Sequence, residues 1–169
     1  MTFPVSMDLR NRSILLVGGG APALAKLRFL VRARALVTMV AEYVDAETAA
    51  FAAQHRVEIA QRRFIPADGI GQDLAFIATG DRAADLMAAR IIHSNGGQVN
   101  VFDQPEVSTF ILAELPGNDS SVMILPTESV VALEQGDDDA GRGRFVHWEL
   151  TPATRKVARR LFNALLPSH

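Results

Sequence analysis

Residues 13–20 read SILLVGGG, and the chain resumes as APALAKLRFLV. An apolar run without polar alternation is the pattern of a strand buried on both faces. Three glycines directly after it allow a tight turn. Ala23, Leu24, Leu27, Leu30 and Val31 then fall three and four apart, which predicts a helix. Pro22 suits the first turn of that helix, where its missing N–H is not needed. A buried strand that feeds a glycine turn and a helix opens a βαβ unit, and such units build parallel sheets.

The same rhythm continues. Leu36 to Ala41 reads as a second buried strand, and Asp45 caps a helix through about Gln54. Val57 to Gln61 and Leu74 to Thr79 are further strands. Gly80-Asp81 turns the chain into a helix over Arg82 to Ser94, closed by Asn95-Gly96-Gly97, and Gln98 to Phe102 is a fifth strand. The expected fold is α/β, a Rossmann-like doubly wound parallel sheet. After Asp103 the rhythm changes. Thr109 to Leu115 and Ser121 to Leu125 are strand-like and flank the turn Pro116-Gly117-Asn118-Asp119. EQGDDDAGRGR at 134–144 reads as an exposed loop, and Thr151-Pro152 opens a last helix with Leu161, Phe162 and Leu165 on its apolar face. The expected division is a nucleotide-binding domain over 1–104 and a small β/helical dimerisation appendage over 105–169.

Composition narrows the function classes. The formal charge of −2 gives no basic stripe for nucleic acid, and no apolar run approaches the roughly 20 residues of a membrane span. The start MTFPVSMDLR lacks the order of a signal peptide, so a cytoplasmic protein is expected. There are no cysteines, and no two of His55, His93, His147 and His169 lie three or four apart, so no metal site is expected. Asp137, Asp138 and Asp139 lack the alternate spacing of a calcium loop and read as an acidic loop tip.

The glycines fit G-x-G-x-x-A through Gly18, Gly20 and Ala23. In that pattern the first glycine makes the turn and the second lets a pyrophosphate approach the backbone. The small third residue brings helix and strand together, and the helix N-terminus supplies N–H donors. Pro22 removes one of those donors. Glu42, just past the second strand, is placed to hold ribose hydroxyls, and a carboxylate there disfavours a 2′-phosphate, which favours NAD over NADP. The alternatives are a purely structural turn and a solvated Glu42.

From this motif onward the sequence resembles the precorrin-2 dehydrogenase domain of siroheme synthases, some of which are also sirohydrochlorin ferrochelatases. The resemblance rests on DLRNRSILLVGGG, Lys26, LVTMVAEYVD, DLAFIATGD at 73–81 and, above all, QVNVFDQPEVSTFILAEL at 98–115. It resumes at TPATRKVARRLFNALLP. It implies oxidation of precorrin-2 to sirohydrochlorin with NAD as hydride acceptor, in a homodimer. It also implies that Asp103 is the catalytic base, although an Asx-type turn before Pro105 explains an aspartate there equally well from the residues alone. NAD contacts are implied at Ala21, Pro22, Glu42 and Tyr43, beside Gly18, Gly20 and Thr79. Asn100 and Thr79 line the same predicted sheet end, either as ligand contacts, Asn100 on the substrate side, or as ordinary strand-end polar residues, and Thr127 takes the serine position of a small-residue loop on the substrate side. Arg142, Arg144, Arg155, Lys156, Arg159 and Arg160 either face the substrate's carboxylates or form a solvated surface. No compact His/Cys set is present for iron insertion, so the dehydrogenase is the favoured activity. The rival reading is a non-catalytic relative that binds a tetrapyrrole or nucleotide, or serves as a partner subunit.

Overall fold

The computed structural model describes residues 5–114, 121–125, 130–137 and 144–150, with side chains over 7–112. The expected turn at 116–119, Thr127, Asp138, Asp139, Arg142 and the last helix with its basic residues lie outside the described residues.

Strands β1 (Val5–Asp8) and β2 (Ser13–Val17) lead into helix α1 (Ala21–Arg32), β3 (Leu36–Val40) and α2 (Ala46–Gln54). They are followed by β4 (Glu58–Ala60), β5 (Leu74–Ile77), α3 (Arg82–Ser94) and β6 (Val99–Val101). Five strands form one parallel sheet in the order β4-β3-β2-β5-β6, the doubly wound arrangement expected. Central β2 pairs with β3 from Ser13–Leu36 to Val17–Val40, and with β5 from Ile14–Leu74 to Val17–Ile77.

Because successive strand residues point to opposite faces, β2 feeds two cores. Ile14 and Leu16 join Leu27 and Leu30 of α1, Met39 and Phe76. Leu15 and Val17 join Ala88 and Ile92 of α3, Ile77 and Val99. Asp45 caps α2 as expected, accepting from the Thr48 N–H at 2.7 Å. Lys26 lies over the Phe76 ring, its Nζ 5.0 Å from the centroid, so this lysine covers the α1 face of the core.

A second sheet is antiparallel, ordered β1-β8-β7, with β7 spanning Ile111–Glu114 and β8 spanning Ser121–Leu125. Its partner β1, VSMD, is too short to carry a clear periodicity, and it comes from the far end of the chain. The two sheets meet at Phe110, which is 2% exposed and packs edge-on to Phe76 at 5.7 Å. The expected loop over 134–144 is corrected at its two ends, since residues 134–137 and Arg144 lie in strands, while 138–143 fall outside the described residues. β9 (Val130–Asp137) and β10 (Arg144–Leu150) pair antiparallel, with a register shift at His147/Trp148. Charged residues alternate poorly with apolar ones there, and cross-strand pairing carries a segment that local composition assigns to loop.

The free edge of β6 is closed by the segment that follows it. Val99 N–H donates to Thr109 Oγ1 at 2.8 Å, Thr109 N–H to Val99 O at 2.7 Å and Val101 N–H to Ser108 Oγ at 2.9 Å. Asn100 Nδ2 donates to Phe110 O at 3.0 Å. Side-chain hydroxyls and an amide thus satisfy an edge that would otherwise be exposed. Truncating Phe110 to Ala removes the aromatic link between the sheets. A loss of about 3–5 kcal/mol in urea-unfolding stability is expected, and a loss under 1 kcal/mol would show that the small sheet is held by other contacts.

Candidate functional site

The strand order reverses between β2 and β5, and the carboxyl ends of the strands open there into a cleft of about 570 Å³. Its floor is Gly18, Gly19 and Gly20. One wall carries Glu42 and Tyr43 after β3, another carries Arg63 and Phe64 after β4, and the α3 face supplies Ala84, Met87, Ala88 and Ile91. Thr79 and Asp81 border the cleft from the loop after β5.

The glycines have different reasons for being glycine. Gly18 has φ +128°, and a Cβ there would lie 2.1 Å from the Ala78 carbonyl oxygen. A Cβ at Gly19 would lie 2.2 Å from Tyr43 O. Gly20 is different: its φ of −96° suits any residue, and a Cβ would meet nothing nearer than Pro22 Cδ at 3.9 Å. No internal contact requires glycine at position 20, and its open side is a cradle that a side chain would fill. It also caps α1 without a side-chain bond, and the first intrahelical bond runs from Leu24 N–H to Gly20 O at 2.9 Å. The N–H groups of Ala21 and Ala23 therefore lie ahead of the helix ladder, where an anion is favoured. Pro22, the second residue of α1, contributes none.

Glu42 is not alone. Arg63 Nε donates to both of its carboxylate oxygens, at 3.1 and 3.0 Å, across the mouth of the cleft. Arg63 carries no recognisable sequence signal, since it follows a strand of only three residues. Phe64, Met87 and Ile91 were also unassigned, because an apolar helix face reads as core until the fold leaves part of it open.

Below the loop after β5 lies Asp85, 3% exposed. It accepts from Thr79 Oγ1 at 2.6 Å, Thr79 N–H at 3.1 Å and Gln104 Nε2 at 3.4 Å. Burial pushes its carboxyl above the usual range, against the lowering effect of the Thr79 bonds. Its signal was a charged residue in the buried stripe Asp85, Ala88, Ala89, Ile92 of α3. Asp85 ties the loop after β5 to the loop after β6. Asp103 stands in that second loop, half-buried, in left-handed backbone at φ +54°. β5 and β6 end on the pair Ile77–Val101, so Thr79 and Asp103 each lie two residues past it at the same end of the sheet. Gly18, Gly20, Glu42, Tyr43 and Thr79 are brought together in the cleft. Ala21 and Pro22, at the start of α1, lie outside its lining, as do Asn100 and Asp103, on and just after β6, and the Asn100 amide is engaged with Phe110 O.

Two measurements test this geometry. Gly19→Ala is expected to cost about 3 kcal/mol or more by overlap with the Tyr43 carbonyl, whereas Gly20→Ala leaves the melting temperature within about 2 °C. Equal losses would refute the distinction. For Asp85, the raised folded pKa means that the native state holds a proton more tightly than the unfolded chain. Its contribution is therefore greatest below the unfolded pKa and falls as pH rises through the folded one. Asp85→Asn is expected to flatten that segment of the stability–pH curve, and Asp85→Ala to lose about 1–3 kcal/mol. If that fall in stability with rising pH is unchanged in Asp85→Asn, Asp85 is not its source.

Known proteins resemble this chain in sequence and fold. The family described as "Putative NAD(P)-binding" matches residues 5–114. A siroheme synthase of Thioalkalivibrio sulfidiphilus is 38% identical over 109 residues, 64% of this chain and 22% of that protein. Siroheme synthase 1 of Aeromonas salmonicida is 30% identical over 166 residues, 98% of this chain and 31% of that protein. The chain thus spans less than a third of the length of these relatives. The solved structure of SirC, a precorrin-2 dehydrogenase, superposes with a TM-score of 0.54 at 19% identity, covering 98% of this chain and 72% of that one, and so shares the fold. Among the described residues no helix is long and apolar enough to cross a membrane. With its glycine turn, doubly wound sheet and these relatives, the chain belongs to the NAD(P)-binding family of siroheme synthase N-terminal domains.

Proposed function

We propose that this chain is an NAD-dependent precorrin-2 dehydrogenase, forming sirohydrochlorin for siroheme synthesis. The observation that carries the cofactor half is Gly20, a glycine that neither its backbone angles nor its neighbours demand, open to the cleft at an uncapped helix N-terminus. The dinucleotide's pyrophosphate belongs against Gly18, Gly20 and the N–H groups of Ala21 and Ala23, beside Pro22. Glu42 faces the ribose hydroxyls, and Tyr43 and Met87 offer apolar surface. When bound, NAD supplies the hydride acceptor. The relatives that bear the name siroheme synthase support the tetrapyrrole as substrate.

The chain's own task in this oxidation is to take up a proton that the macrocycle releases as it loses its hydride. Asp103 is the residue for it, at the strand ends beside the cleft, in a loop that the Asp85–Gln104 contact holds. We assign Asn100, and by the family resemblance Thr127, to contact with the substrate. A second reading, a nucleotide-binding relative without catalysis, is favoured by Pro22, which withholds one donor from the anion cradle.

Turnover of precorrin-2 with NAD, followed by absorbance alongside calorimetric NAD binding, separates the readings. Asp103→Asn keeps a residue type that tolerates φ > 0. It is expected to lower kcat about 10²-fold or more while NAD affinity stays within about twofold. Full activity in Asp103→Asn would overturn the base assignment, and NAD binding by the wild type without any turnover would favour the second reading. Gly20→Ala is expected to weaken NAD binding about tenfold, and unaltered affinity would remove the turn from the site.

A further inference from the structure

The loop after β4 presents two adjacent arginines with opposite commitments. Arg62 donates Nη1 and Nη2 to Asp68 at 2.8 and 2.6 Å, and Nη1 also to the Arg63 carbonyl at 3.0 Å. Asp68 accepts in addition from Ile65 N–H at 2.9 Å. The Arg62 guanidinium is therefore spent on holding the loop, and it fixes the backbone that carries Arg63. Arg63 engages Glu42 through Nε alone, and its Nη1 and Nη2 make no hydrogen bond among the described residues. Its side chain is 82% exposed and borders the cleft next to Glu42, which is 64% exposed.

A lone carboxylate at the end of the second strand of a doubly wound sheet rejects a 2′-phosphate, and an arginine beside it admits one. Here the carboxylate carries such an arginine, so the pair is close to neutral. An exposed ion pair is also weakly held and readily exchanged. The spare N–H groups of Arg63 have the planar fork geometry that matches phosphate oxygens.

We propose that Arg63 recognises a ribose 2′-phosphate, so that the cleft accepts NADP as well as NAD. Glu42 and Arg63 then read the adenosine ribose between them, the carboxylate taking the free diol and the guanidinium taking the phosphate. This rests on the reading that the cleft holds a nicotinamide dinucleotide, and it revises the preference for NAD drawn from Glu42 alone.

Calorimetric titration of the wild type, Arg63→Gln and Glu42→Gln with NAD, NADP, AMP and adenosine 2′,5′-bisphosphate tests the proposal. In the wild type, NADP is expected to bind within about tenfold of NAD. The NADP-to-NAD affinity ratio should fall about tenfold in Arg63→Gln and rise in Glu42→Gln. The bisphosphate-to-AMP ratio should move the same way, and its advantage should shrink with added salt. If NAD binds and Arg63→Gln leaves both ratios unchanged, this inference is overturned and the cofactor reading stands. If neither dinucleotide nor either adenosine phosphate binds, both fall.

Discussion

The close approach of Gly18 to the Ala78 carbonyl holds the molecule's working end together. At that point β2 leaves the sheet, and the backbones of β2 and β5 lie too near for any side chain between them. Hydrogen bonds secure the junction on every side. Gly18 N–H donates to Val40 O at 2.9 Å, Ala78 N–H to Val17 O at 2.8 Å and Asp45 N–H to Gly19 O at 3.0 Å. The turn is thus joined to the strand on its left, the strand on its right and the start of α2. The cleft exists because these three departures diverge from one tight joint, with α1 and α3 leaving toward opposite faces.

On this floor the polar groups act in two layers. Glu42 and Arg63 stand at the mouth in contact with solvent, where an ion pair contributes little stability and can be reassigned to a ligand. Asp85 lies beneath, where water is excluded and each hydrogen bond matters more. Its contacts reach Thr79 in one strand-end loop and Gln104 in the next, so the surroundings of Asp103 are coupled to the border of the cleft. The block NVFDQPEVSTF has a large architectural share in this. Asn100, Ser108 and Thr109 close the β6 edge, and Phe110 docks the second sheet.

Much of the sheet was legible residue by residue. The run SILLV, the glycines, the α1 spacing, the Asp45 cap and the Gly80-Asp81 turn are local signals, and the structure reproduces them to within a residue or two. The cleft's glycines, Glu42 and Thr79 were legible because strand ends in a doubly wound sheet fall together, whereas Tyr43 was implied only by the family resemblance. β1 and the β9–β10 hairpin were not. Their stability comes from partners in another strand, and VSMD or VVALEQGD shows no periodicity strong enough to declare one.

The amino-acid sequence by itself determined the order of strands and helices in the parallel sheet, the handover from strand to helix at Gly18–Gly20 and the placing of the candidate site at the carboxyl ends of the strands. Periodicity, capping and glycine's backbone freedom act over a few residues, and they suffice for that. Tertiary structure alone decided that Arg63 meets Glu42 across 21 residues, that Asp85 is buried beneath Thr79 and Gln104, and that Gly20 faces open space while Gly18 and Gly19 are packed shut. Those outcomes depend on which backbones approach one another and which side chains lose water, and no local pattern encodes either.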